Sequence, residues 1–325
     1  MSVMDGFDAK WGSPEGYILG VTAQIWEGRD IASLHGNYHP EIPVRHPGGI
    51  SIGNQAVIAA TMATLAEFPD RTLLGEDVIW SEFAGGGFLS SHRILSTATH
   101  TGDGAYGAAT GRKLTYRVIA DCAARDDIIY DEWLVRDSGA IIRQMGWEAK
   151  TYAAQQIERE GGPERAARPF SPAIDRAGLY TGTGNTHAAG QRYADTLGRI
   201  MGAGFATIPA DYDRAVQLEL PGGITGHGHP DADHFWMGLR AAFPNATFAI
   251  HHQIGRDDLG LPDRAALRWS LTGKHEGWGA FGTPSGAEVH IMGISHAEFG
   301  PRGIRREFVL FDETMVWKQV LLKTG

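Results

Sequence analysis

Eight residues of this chain combine chemical capability with regular spacing. Arg93, His100, Glu132 and Asp137 recur, a constant 175 positions on, as Arg268, His275, Glu307 and Asp312. A carboxylate in an apolar interior is desolvated, and its pKa rises toward the range where it can take a C–H proton beside a carbonyl. A nearby Arg or His would then stabilise the enolate oxygen. Structural roles compete with this reading. Asp137 and Asp312 each stand just before an expected helix, where an N-cap is favoured. A Glu and an Asp five residues apart share a face only if the strand ends between them. The glycines around His100 and His275 suit turn-stabilising side chains.

A second cluster belongs to the C-terminal half alone: His227-x-His229-x-Asp231-x-Asp233-His234, then His251-His252. The His-x-His spacing is that of metallo-hydrolase zinc ligands, but Asp233-His234 falls two residues late and Pro230 starts a helix there. The expectation is a polar helix start with an Asp facing the helix dipole, and no metal. His227, His229 and His251 would then line the mouth of a pocket. Aromatic side chains at Trp26, Trp80, Tyr116, Trp133, Trp236 and Trp269 suit either ordinary core or a pocket for a cyclic ligand. Arg93, Arg268, Trp80, Trp236 and Trp269 join the three histidines as candidate substrate contacts. Cys122, the single cysteine, has no nearby His and is not expected to be a nucleophile.

The spacing that pairs these residues is a duplication. His100-Thr101-Gly102 through Gly107 overlies His275-Glu276-Gly277 through Gly282, and Gly111 meets Gly286, Ile129 meets Ile304, and Gln144 meets Gln319 without a gap. Upstream, Phe68-Pro69 meets Phe243-Pro244, while Pro47-Gly48-Gly49-Ile50 meets Pro221-Gly222-Gly223-Ile224 with one residue of slippage. A period this long means two copies of one domain rather than a solenoid. The expected boundaries are 11–150 and 184–325, with a helical tail and linker over 151–183.

Each copy opens with an amphipathic helix (Ile18, Val21, Ile25, Trp26; then Tyr193, Leu197, Ile200, Met201). A second helix, carrying Val57, Ile58, Met62 and Leu65 or Phe235, Leu239 and Ala242, stops at Phe-Pro. Strands follow, clearest in the hairpin 288–310. Helices first and strands afterwards predict an α+β fold with an antiparallel sheet.

The run Gly273-Lys274-His275-Glu276-Gly277 … Gly282-Thr283-Pro284-Ser285-Gly286, then Ile304-x-x-Glu307 … Asp312 and a closing helix through Gln319, resembles the SnoaL-like polyketide cyclases of the nuclear-transport-factor-2-like superfamily. Thr99-His100-Thr101-Gly102, Thr110-Gly111, Glu132 and Asp137 repeat it. The resemblance implies two tandem cone-shaped α+β barrels of the cystatin and nuclear-transport-factor-2 type, each a curved sheet wrapped by helices around an apolar pocket. It also implies a covalently joined internal pseudo-dimer and cofactor-free ring closure on a polyketide ester. The family's acid/base residue falls at Gly111 and Gly286, where this chain departs from the cyclase pattern.

Composition bounds the partners. Lys plus Arg total 29 against 38 Asp plus Glu, a net charge of −9, with no basic stripe suited to nucleic acid or an anionic membrane surface. One cysteine and no basic-then-apolar leader suggest a cytoplasmic protein. Its 44 glycines are about twice the usual share, and twelve of them sit in the paired turns at 48–49, 102–111, 222–223 and 277–286. The function expected is a cofactor-free cyclase, isomerase or lyase acting on a small apolar or polyketide-like carbonyl substrate. The alternatives are a non-catalytic small-ligand-binding module and an epoxide-hydrolase-like enzyme, the latter disfavoured because neither Arg93 nor Arg268 begins an Arg-x-Asp pair. A further homo-oligomer is compatible with either.

Overall fold

A computed structural model describes residues 2–324. Its first copy starts with α1 (Pro14–Trp26), where Ser13 Oγ accepts from the Gly16 N–H at 3.1 Å and Pro14 occupies the first turn. Tyr17, Ile18, Val21 and Ile25 form its buried stripe. There follow α2 (Leu34–Asn37), the hairpin β1 (Pro43–His46) and β2 (Gly49–Ile52), and α3 (Asn54–Glu67). A meander comes next: β3 (Thr72–Glu82), β4 (Phe88–Thr99), β5 (Lys113–Arg125) and β6 (Ile128–Arg136). Closing helices α4 (Ser138–Gln144) and α5 (Ala149–Arg159) complete it.

The second copy runs α6 (Ala188–Met201), α7 (Thr207–Asp211), β7 (Tyr212–Leu220), β8 (Ile224–His227) and α8 (Gly228–Ala242). It continues through β9 (Thr247–Arg256), β10 (Arg264–Lys274), β11 (Glu288–Gly300), β12 (Gly303–Leu310) and α9 (Glu313–Thr324). The two six-stranded sheets have the same order, β2-β1-β6-β5-β4-β3 and β8-β7-β12-β11-β10-β9. Registers repeat as well: Leu89 faces Ala123 as Arg264 faces Glu298. The expected α+β fold in two tandem copies is therefore present. One detail differs: the sheets are mixed, because β1 runs parallel to β6 and β7 parallel to β12. The long α3–meander path between those partners permits a parallel pairing that no tight turn could make.

Strand alternation gives each sheet two faces. Phe88, Ser90, His92, Ile94, Ser96 and Ala98 of β4 face the helices of their own copy, inside the cone. Leu89, Ser91 and Arg93 face the other sheet. Between the sheets lie two apolar clusters: Ile119, Val135, Met292, Ile294 and Leu310, and Ile79, Leu89, Ala123, Ile254 and Ala266. Buried polar contacts surround them. Arg268 Nη1 donates to Asp121 Oδ2 at 2.9 Å with its guanidinium 3.5 Å above the Trp133 ring. Arg93 reaches Glu298 and Glu76, each at 3.3 Å, and donates to His296 Nδ1 at 3.1 Å. Arg93 and Arg268, expected at a substrate, thus hold the copies together instead. Their parity on the strand points them out of the cones. Among the described residues no helix is long and apolar enough to cross a membrane.

Candidate functional site

Asp137 caps α4 by accepting the Ala140 N–H at 2.9 Å, and it also takes the N–H groups of Gly222 (2.8 Å) and Gly223 (2.9 Å) from the other copy. Both glycines have positive φ (84° and 69°), which lets two successive N–H groups converge on one carboxylate. Burial pushes Asp137 up to about 6 against the pull of those bonds. Asp312 accepts from Ser138 Oγ at 2.6 Å and from the Thr314 N–H and Oγ1 at 2.9 and 2.6 Å. A void of only about 10 Å³ adjoins it, room for a single water. Both aspartates, expected as catalytic, therefore brace helix starts at the junction of the copies. Their carboxylates have their acceptor capacity taken up locally.

The paired histidines are latches. His100 Nδ1 lies 3.0 Å from Thr110 Oγ1 and its Nε2 3.3 Å from Glu67, while backbone bonds to Arg112 and Gly111 close the loop. His275 Nδ1 pairs with Ser285 Oγ at 3.0 Å in the same way. Both rings are fully buried against a phenylalanine, Phe68 or Phe243. Gly111 and Gly286, at the end of each latch, have φ of 66° and 69°, a conformation that favours glycine over the acid of the related pattern. The expectation of catalytic histidines meets side chains already committed to turns.

Glu132 and Glu307 stand elsewhere. Each is on the cone face of the strand beside the parallel partner, Glu132 opposite Val44 and Glu307 opposite Leu218. Burial raises both carboxyls to about 7. Their surroundings diverge. Glu307 Oε1 accepts from the Tyr193 and Tyr212 hydroxyls, both at 2.8 Å, and Oε2 from Trp236 Nε1 at 3.3 Å. Glu132 has a single hydrogen-bonding neighbour, the Tyr38 hydroxyl, with Cys122 across the strand, and its Oε2 is buried without a partner. Tyr17 of α1 turns its hydroxyl to the Asp127 carbonyl at 2.7 Å, and Thr61 occupies the position of Trp236.

The second cone is filled. Trp236 and Trp269 are fully buried, with Trp269 Nε1 donating to Ser295 Oγ at 2.8 Å, and Phe311 packs on both Phe235 and Trp269. These two tryptophans, expected as substrate contacts, have no face left for a ligand. The first cone is less tightly covered. Leu134 and Arg136, on the cone face of β6, are partly exposed, whereas their counterparts Val309 and Phe311 are buried. Its helical wall is looser too: α3 buries only Asn54, Thr61 and Glu67, and Met62, expected to face inward, is 51% exposed. Trp80 borders this cone, its Nε1 on Glu15 at 2.5 Å and Arg256 stacked 4.0 Å away.

Polar groups follow the same division. Arg71, His92, Tyr116 and Arg136 of the first copy correspond to Ala246, Leu267, Ile291 and Phe311 of the second. Arg71 Nη1, His92 Nε2, the Tyr116 hydroxyl and Arg136 Nε are all buried and unpartnered. Burial pushes His92 down to about 4, so its ring is neutral. A search for residues retained in both copies passes over this set, apart from the notice given to Tyr116 as an aromatic. The signal for it was the difference between copies at matched positions.

The C-terminal histidines do not converge. His229 Nε2 contacts the Tyr212 carbonyl at 3.0 Å and borders a groove of about 540 Å³ with Phe205, Ile208, Asp233 and Met237. His227 is exposed where its N–H meets Asp231 at 2.7 Å, and His251 pairs with Ser270 Oγ at 2.8 Å on the sheet. Neither borders that groove. Among the described residues no three His, Cys, Asp or Glu side chains group as metal ligands.

No family model matches the sequence, and no curated protein matches it either. Solved structures do. IdmH from Streptomyces antibioticus, described as a candidate polyketide cyclase, is 21% identical over 42% of this chain and 99% of its own, with a TM-score of 0.36. TsrD from Streptomyces laurentii is 22% identical over 41% of this chain and 93% of its own, TM-score 0.35. A SnoaL-like polyketide cyclase from Agrobacterium tumefaciens is 17% identical over 41% and 97%, TM-score 0.34. Each spans about one copy of the duplicated domain. The activity is left to the chemistry of the cones.

Proposed function

We propose that the first cone is the active site of a cofactor-free enzyme that removes a proton from carbon beside a carbonyl, as a cyclase, isomerase or lyase does, with Glu132 as general base. The second copy serves as a packed partner. One contrast supports this reading: Glu132 keeps an unpartnered carboxylate oxygen in the more loosely covered cone, while Glu307 is bound by three donors in the filled one. A carboxyl raised to about 7 is matched to proton abstraction at neutral pH, and positioned bases of this kind contribute on the order of 10²–10⁴ in rate. The neighbouring Tyr38 hydroxyl can return a proton or hold the enolate oxygen. A small apolar or polyketide-like carbonyl compound is the substrate class that the aromatic and aliphatic lining accepts.

The test is deuterium uptake from D2O at the α-carbon of aryl ketones and β-keto esters, followed by NMR. E132Q should lower the enzymatic rate about 100-fold or more, and E307Q should leave it within about threefold. Exchange insensitive to E132Q overturns the assignment. A non-catalytic ligand-binding module is the second reading, supported by glycine at positions 111 and 286. It predicts no exchange above background with any carbonyl probe.

A further inference from the structure

The first cone contains a buried guanidinium, that of Arg71, beside a half-buried one, that of Arg136. Arg71 is 2% exposed; its Nε donates to Ser96 Oγ at 3.0 Å, its plane lies 4.2 Å from the Trp26 ring and 5.7 Å from that of Tyr116, and its Nη1 has no partner. Arg136 is close enough to influence Arg71, has the Tyr106 and Tyr116 phenols beside it, and leaves Nε unpartnered. Neither arginine makes an ion pair among the described residues. Asp312 and the two phenols raise the pKa of Arg136, and the Asp312 carboxylate is itself held by Ser138 and Thr314. Every other buried arginine of the sheets has an acid within reach: Arg45 has Asp131, Arg93 has Glu298, Arg264 has Asp77 and Arg268 has Asp121.

A buried charge without a counter-charge costs several kcal/mol and persists only where something outweighs that cost. The second copy shows the alternative, since it replaces both groups by Ala246 and Phe311 in the same fold. We infer that Arg71, Arg136 and the Tyr116 hydroxyl form an anion-binding subsite, and that the ligand of the first cone carries a carboxylate. Two guanidinium forks and a phenol match the in-plane acceptor geometry of that group. Glu132 and Arg136 are four residues apart on β6, so their Cα atoms lie about 13 Å apart. The ligand is thus an oxo-acid whose anionic end sits several bonds from the carbon that loses its proton. This deepens the reading of Glu132 as base and rests on it for the reacting end alone.

The test is calorimetric titration of the full chain with phenylacetate, hexanoate and 4-oxopentanoate, each beside its neutral primary amide. At least one acid should bind about tenfold or more tightly than its amide, the value of a charge-assisted hydrogen bond. R71M and R136M should each remove that preference, and R71K should keep part of it. Thermal unfolding without ligand provides the folding control: a Met in place of an unpaired buried charge should leave the melting temperature unchanged or raised. Carboxylate binding without α-proton exchange would leave the subsite standing and remove the base. Exchange on neutral ketones with no preference for acids would do the reverse. Equal binding of acid and amide, equal binding by the Arg variants, or no binding of any acid overturns the inference.

Discussion

A buried carboxyl has opposite consequences for activity and stability, and Glu132 and Glu307 carry both. Each titrates near 7 in the fold, against about 4.3 in an unfolded chain. The native state therefore holds protons that the unfolded state has released, so stability is full below about pH 4.3 and falls as pH rises through 7. The loss is on the order of 3 kcal/mol per group. His46 and His92, both pushed down to about 4 by burial, act the other way and lower stability on acidification below about 6.5. Subtraction isolates the Glu307 share: denaturant unfolding of the parent and E307Q at pH 5 and pH 8 should show E307Q gaining relative stability at pH 8. No pH-dependent difference would place the Glu307 titration outside this range. Exchange catalysed by the Glu132 carboxylate should rise through pH 7, so its rate increases where the fold weakens.

Helix starts, more than catalysis, explain why Asp137 and Asp312 recur. Asp137→Ala removes the cap of α4 together with both bonds to Gly222 and Gly223, three contacts of 2.8–2.9 Å. A cap alone is worth about 1 kcal/mol and bonds to a charged group about 1.5–3 each, but burying the carboxylate offsets part of that. Asp137→Ala should therefore destabilise by about 2–4 kcal/mol in urea unfolding. Asp137→Asn, which keeps an acceptor, should cost about half as much. A variant no less stable than the parent would argue against the capping role. At this scale the sequence was largely legible: the duplication, the Phe-Pro helix stops and the hairpin 288–310 all rest on local periodicity and turn chemistry. What escaped it was which sheet face each strand turns to its partner. Arg93 and Ile94 sit side by side in sequence, and only packing of the sheet face against β11 across the molecule decides that the Arg side meets Glu298. The proposed subsite escaped it for a different reason. Matching the copies selects what both need to fold, whereas Arg71, Tyr116 and Arg136 are visible only as the positions where Ala246, Ile291 and Phe311 replace them.

At the scale of the whole molecule, the two copies are packed unequally, and the looser one leans on the other. Filling the second cone with Trp236, Trp269 and Phe311 gives a well-packed body, while the first cone keeps unpaired polar groups and a loose α3. Its stability must come partly from the shared sheet face. There Arg268 is the central cation, buried between Asp121 at 2.9 Å and the Trp133 ring at 3.5 Å. Arg268→Ala leaves the Asp121 carboxylate buried without its partner, a loss on the order of 3–5 kcal/mol. Replacing both members by apolar residues, Arg268→Met with Asp121→Leu, removes the stranded charge and should recover most of that loss. Recovery in the double variant, with α-proton exchange restored alongside stability, means the interface supports the first cone through packing. If the double variant remains as unstable as Arg268→Ala, the ion pair itself holds the copies in register. In either case the damage should fall first on the first copy, seen as faster amide exchange in β4 and β5 than in β10 and β11, because its cone keeps unpartnered buried polar groups and a loosely buried α3.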